Sequence, residues 1–181
     1  MPKYIAFLRA INVGGHTVKM DQLRGLFEKL GFTNVETFIA SGNVIFDSSS
    51  KSAATLEKKI ESFLHQSLGY PVATFLRTPA ELANVSCYKP FAKMKDVAGH
   101  TIYIGFMSGE PEKESQAKLI AAATEIDAFH VHGRELYWLC RAKRFSDTPF
   151  SGARLEKTLG RATTLRNSTT VRKLVDKYAP G

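Results

Sequence analysis

Three short stretches hold the residue types best suited to chemistry. The first, Leu8-Arg-Ala-Ile-Asn-Val-Gly-Gly-His16, runs from an apolar segment into Arg9, Asn12 and the pair Gly14-Gly15. A guanidinium that ends an apolar run needs solvent or a partner, so Arg9 is a candidate anion ligand. Glycines reach positive φ without steric cost and let a backbone or ligand approach closely. The second stretch, Ser41-Gly42-Asn43, offers side-chain donors and acceptors. The third, Thr163-Thr-Leu-Arg-Asn-Ser-Thr-Thr170, gathers hydroxyls around Thr164, Arg166 and Asn167. A planar donor fork beside hydroxyls suits phosphate or carboxylate.

Other chemistries are poorly served. The double glycine lacks the spacing of a P-loop or a dinucleotide fingerprint. No Gly-x-Ser-x-Gly elbow is present, and neither Cys87 nor Cys140 has an assignable base. His130 and His132 lie two apart and can share a strand face, but no carboxylate or cysteine stands at a metal-ligand spacing, so no metal and no cofactor is expected. His16, beside the glycines, is a candidate acid or base set against an ordinary exposed loop histidine. The basic-Gly-aromatic run of RNA-stacking sheets is missing, and Phe129, Tyr137 and Trp138 read as packing residues.

Elements must position these groups. Tyr4–Leu8 reads as a buried strand, and Met20, Leu23, Phe27 and Leu30 follow helical spacing to a stop at Gly31. Val35–Ala40 and Val44–Phe46 are strands split by Ser41-Gly42-Asn43. A helix through Leu56, Ile60, Phe63 and Leu64 ends at Gly69, and Val72–Leu76 closes the set. The order β-α-β-β-α-β is the ferredoxin-like unit. It recurs in strand Thr101–Phe106, a helix opened by Pro111 and running to about Ala123, strands Ile126–Val131 and Leu136–Cys140, helix Ser151–Leu159 and strand Arg161–Leu165.

Thr78-Pro79-Ala80-Glu81 fits a capping box for a linking helix. A last helix has the apolar face Val171, Leu174, Val175 and Tyr178. The expected fold class is therefore α+β, two ferredoxin-like units in tandem with a linking and a C-terminal helix. Boundaries fall at 1–77, 78–98 and 99–181, with one compact domain as the alternative. The duplication is of architecture, since no side-chain motif repeats.

In such a unit the loop after the first strand and the hairpin between the second and third leave the same sheet edge. Arg9, Asn12, Gly14 and Gly15 should thus meet Ser41, Gly42 and Asn43 as one rim. Near the C-terminus, the final strand should lead into a helix capped by Asn167 or Ser168.

The motifs "FLRAINVGGH", "LGFTNVETFIASGNVIF" and "LEKTLGRATTLRNSTTVRKL" together resemble the bacterial family named domain of unknown function 1697. The matching positions are Leu8, Arg9, Ile11, Asn12, Val13, Gly14 and Gly15, then Ser41, Gly42, Asn43 and Val44, then Thr164, Arg166, Asn167, Thr170 and Val171. The resemblance implies the duplicated ferredoxin-like fold and no established activity. Where that family commonly has a tryptophan after the Arg-Asn pair, this chain has Ser168.

Charge and composition narrow the classes of function. No apolar run approaches the roughly 20 residues that span a bilayer, and the start carries too few apolar residues for a signal peptide. Two cysteines without metal-like spacing fit a reducing, cytoplasmic setting. The net charge is +8, and residues 141–181 hold ten Lys or Arg against three acids, which is +7 of it. A one-sided positive field draws phosphate-bearing partners. The leading reading is a binding module for a phosphorylated or polyanionic ligand, either nucleic acid or a nucleotide-like metabolite. The alternatives are an enzyme acting on a small anion at the Arg9, Asn12, Gly14-Gly15 rim, and an interaction or scaffold protein.

Overall fold

A computed structural model describes residues 1–12, 15–39, 42–94 and 97–179. The chain divides into two compact units, Met1–Leu82 with Tyr178–Gly181, and Ala83–Lys177. Among the described residues there are eight strands and six α-helices. The first unit contains β1 (Lys3–Leu8), α1 (Met20–Lys29), β2 (Thr33–Thr37), β3 (Asn43–Asp47), α2 (Ala53–Leu68) and β4 (Thr74–Arg77); α3 (Pro79–Cys87) follows. The second contains β5 (Thr101–Phe106), α4 (Lys113–Ala121), β6 (Asp127–His132), β7 (Glu135–Cys140), α5 (Gly152–Leu159) and β8 (Thr164–Asn167), then α6 (Ser168–Tyr178). The sheets have orders β2-β3-β1-β4 and β6-β7-β5-β8, with antiparallel neighbours throughout. Both units are βαββαβ, as the periodicity predicts.

Local chemistry sets the ends of these elements. Ser52 accepts a hydrogen bond from Thr55 N–H to open α2, and Gly69 closes it in the left-handed region at φ +85°. Ser151 and Gly160 play the same parts for α5. The capping box expected at Thr78 and Glu81 is formed in both directions. Pro111 does not open α4 at its first position. The helix starts at Lys113, and Pro111 instead accepts a hydrogen bond from the Gln116 side chain at 2.7 Å.

Each sheet buries one face under its own helices. In the first unit Tyr4, Ala6, Leu8, Phe27, Phe46 and Ile60 belong to that core; in the second, Leu119, Phe129, Leu136, Trp138, Leu155 and Leu159 do. Edge strand β4 carries a further safeguard. Its outward N–H groups at Thr74 and Leu76 donate to the carboxylates of Glu61 and Glu57, one helical turn apart on α2. Glu156 of α5 likewise accepts from Thr163 N–H just before β8. Side chains that occupy such groups blunt an edge as a template for further strands.

Both closing strands differ from their sequence reading in the same way. β4 continues through Arg77 and β8 through Arg166, where the hydrophobic pattern ends each strand at the preceding leucine. Arg77 is fully buried and Arg166 nearly so. Each Nη1 folds back to the carbonyl of the residue before it, Leu76 at 2.8 Å and Leu165 at 2.9 Å, so the charge remains hydrogen-bonded inside a strand. Arg77 lies opposite Ile5 of the central strand, and Arg166 opposite Ile104. In each half a Leu-Arg pair is followed by a residue that caps the next helix. A side-chain motif therefore does repeat, and register rather than sequence similarity reveals it.

Candidate functional site

The first-unit rim forms in part as expected. Leu8 N–H donates to Gly42 O and Arg9 N–H to Ala73 O, both at 2.9 Å, so the hairpin turn and the β4 approach both hold the end of β1. Gly42 lies at φ +78°, and a Cβ there would stand 3.0 Å from Ile11 Cγ2 and from Leu8 Cβ. That glycine is dictated by close approach as well as by dihedral angle. Gly15, at φ +84°, has open space around it and answers to the dihedral angle alone.

Side chains in this rim are largely committed to the protein. Asn12 Oδ1 accepts from Val18 N–H at 2.7 Å and closes its own loop. Asn43 is buried, and its amide donates to Phe38 O at 3.0 Å, bracing the β2–β3 hairpin. Tyr70 donates to Ile11 O and stacks on His16 with ring centroids 3.8 Å apart. Gly14 and Ser41 lie outside the described residues.

A concave site stands in the second unit, on the sheet face turned away from α4 and α5. The register lays His130, Tyr137, Ile104 and Arg166 in one row across the four strands. Above this row is a cavity of about 260 Å³, floored by Ile102, Ile104 and Tyr137. The segment after α3 supplies Tyr88, Lys89 and Phe91 to its wall, and α6 supplies Ser168 and Arg172. The cavity lining is mostly apolar and includes two cations, Lys89 and Arg172, and two serines, Ser86 and Ser168. That combination suits an anion joined to an apolar group.

The third sequence motif supports the cavity more than it lines it. Ser168 is the residue of 163–170 that reaches it. Asn167 Oδ1 accepts from Thr169 N–H at 2.9 Å and so caps α6, as expected. Arg166 Nη1 also donates to Thr164 Oγ1 at 2.7 Å. Burial pushes the Arg166 guanidinium down to about 10, which leaves it charged at neutral pH. Its charge sits in the row beneath the site, next to Ile104.

Two histidines hold the cavity's aromatic wall. Tyr88 Oη and His130 Nε2 are 2.7 Å apart, and the Tyr88 ring stacks on His132 with centroids 4.1 Å apart and planes 16° from parallel. Burial, with the neighbouring His132, lowers the His130 pKa, which favours the neutral ring beside the Tyr88 hydroxyl. Tyr137 in turn donates to Val85 O at 3.1 Å, fixing α3 over the same sheet face. The His130–His132 pair does share a strand face, and what it grips is a tyrosine. Among the described residues no group of three His, Cys, Asp or Glu is placed to hold a metal ion.

Sequence reasoning did not single out Tyr88, Lys89 or Phe91, and it counted Arg172 only within the basic tail. Tyr88-Lys-Pro-Phe91 sits in what reads as a linker, without the periodicity of an element. Its one legible signal is a pair of aromatics around a cation in a segment otherwise expected to be polar.

Comparison with other proteins supports the fold and is silent on chemistry. The chain is similar to the conserved bacterial protein SP0830 from Streptococcus pneumoniae, with a TM-score of 0.79, 24% identity and 99% of each chain covered. That likeness shows a shared fold. No curated protein matches the sequence. A family model described as "Protein of unknown function (DUF1697)" matches residues 1–137, which takes in the Arg9–Gly15 and Ser41–Val44 motifs and the cavity floor. The Thr164–Val171 motif lies beyond that match. On three quarters of its length, then, this chain belongs to the DUF1697 family.

Proposed function

We propose that the protein is a binding module for a small phosphorylated ligand, held in the second-unit cavity. The observation that carries this reading is the pairing of an apolar floor with Lys89, Arg172 and Ser168 in the lining of one concavity. Lys89 and Arg172 are exposed, so neither bears the cost of a buried charge before a dianion arrives. Ser168 adds a hydroxyl donor beside them. Arg166, buried in the row below, adds a fixed positive charge to the field. The two cysteines are free, which fits a reducing, cytoplasmic setting.

A reading as a polyanion binder is less well served, because the cavity is concave and a nucleic-acid backbone requires an extended track of cations. An enzyme at the Arg9, Asn12, Gly14-Gly15 rim has less support, since the Asn12 carboxamide oxygen already closes its own loop.

A backbone-amide shift titration with cyclohexyl phosphate tests the proposal. Saturable shifts are expected at residues 85–92 and at the start of α6, and Lys89→Ala with Arg172→Ala should weaken binding by about tenfold or more, the scale of a lost charged hydrogen bond. Shifts confined to residues 9–16 would overturn the proposal in favour of the rim. A log–log salt slope of several units on duplex DNA, with no cavity shifts, would overturn it in favour of polyanion binding.

A further inference from the structure

Resting on that reading of the cavity, we infer that the apolar part of the ligand is a single flat aromatic ring stacked on Tyr88, so that the site takes an aryl phosphate in preference to an aliphatic one. The Tyr88 ring is held at three points. Its hydroxyl is hydrogen-bonded with His130 Nε2 at 2.7 Å, His132 stacks on the ring, and Tyr137 meets it at a 58° tilt with centroids 5.3 Å apart. A ring so fixed has lost its rotational freedom before any ligand arrives, which removes an ordering cost from binding. Tyr88 also lines the cavity, so part of its ring is open to a ligand.

Size and reach agree with one ring. A cavity of 150 Å³ accepts benzene. The present one, at about 260 Å³, holds a six-membered ring with a phosphate beside it. Lys89 is the next residue along the chain from Tyr88, so a phosphate carried directly on the stacked ring comes within reach of its flexible ammonium. An aliphatic ring of the same size would gain the area burial and lose the face-to-face contact.

Competition between phenyl phosphate and cyclohexyl phosphate tests the inference in the intact chain. Phenyl phosphate is expected to bind about two- to tenfold tighter, the worth of an aromatic pair beyond its area burial. Its ring protons should shift upfield on binding, a readout that needs no variant. Tyr88→Leu should bring the two affinities together, while Tyr88→Phe keeps most of the preference. Equal affinities in the unmodified protein, or no upfield shift, would overturn the stacked ring and leave the phosphate reading standing. If neither ester binds, both fall together.

Discussion

Asp127 is the residue whose removal should cost the second unit most. It is fully buried at the start of β6. Its Oδ1 accepts from the Trp138 indole N–H at 2.8 Å, and its Oδ2 from the Thr148 hydroxyl at 2.7 Å. The Thr124 hydroxyl, 3.4 Å from Oδ2, in turn accepts from the backbone N–H of Ile126 and Asp127. One carboxylate thus joins the strand, the core indole and the 141–150 segment. Hydrogen bonds to a charged group are worth about 1.5–3 kcal/mol each, and a buried donor left without a partner costs about 1–3 kcal/mol.

Asp127→Ala loses both short bonds and strands the indole N–H, while it recovers part of the cost of burying the carboxylate. The net loss should be about 3–5 kcal/mol, two charge-assisted hydrogen bonds less the recovered desolvation. Asp127→Asn keeps one acceptor for the indole and should lose about 1–2 kcal/mol. Trp138 is the only tryptophan, so urea unfolding followed by its fluorescence reports this unit directly. An Asp127→Ala midpoint within about 1 kcal/mol of the parent would refute the reasoning, and the carboxylate would then be a spectator to the packing around it.

Three further outcomes follow from the same geometry. Gly15→Ala should cost about 1–2 kcal/mol for a left-handed residue, whereas Gly42→Ala meets Ile11 and Leu8 as well and should cost about 1–3 kcal/mol more; equal losses in paired denaturation curves would rule out the close approach. Glu57→Ala should destabilise the first unit by about 1–3 kcal/mol and raise concentration-dependent association, with Glu57→Gln near the parent because it keeps an acceptor for Leu76 N–H; light scattering and urea midpoints check both arms. His130 has a lowered pKa in the folded state, so the unfolded chain binds more protons between that value and about 6.5. Stability should therefore be full above about pH 6.5 and fall on acidification through that window, and a His130→Gln variant should flatten this part of the urea-midpoint profile.

Much of the fold was legible because periodicity and stop signals are local. The spacing of Leu23 and Phe27, the glycines at 69 and 160, and the capping pair Thr78 and Glu81 each act within a turn or two of chain. A reader of one sequence sees such distances. β4 and β8 were read one or two residues short for the opposite reason. A charge ends a hydrophobic pattern, yet Arg77 and Arg166 stay in their strands because the backbone carbonyl one residue back satisfies each guanidinium. That solution depends on three-dimensional burial and leaves no trace in residue type.

The meeting of the β1 loop with the β2–β3 turn could be deduced from topology, since a βαββ order puts both at one end of the sheet. What the side chains do there could not. Asn43 and Asn12 look like ligand groups in sequence, and in the structure their polar atoms serve Phe38 and Val18. The cavity lay furthest from sequence reach. Its walls come from residues between 85 and 104, from Tyr137, and from Ser168 and Arg172, three stretches more than thirty positions apart that share no spacing rule. Sequence by itself determined the alternation of elements, the caps and the excess of positive charge near the C-terminus, because each is a property of neighbours along the chain. Only the tertiary structure decided that two histidines clamp a tyrosine and that Lys89 and Arg172 line one cavity, because register and helix packing act across the sheet.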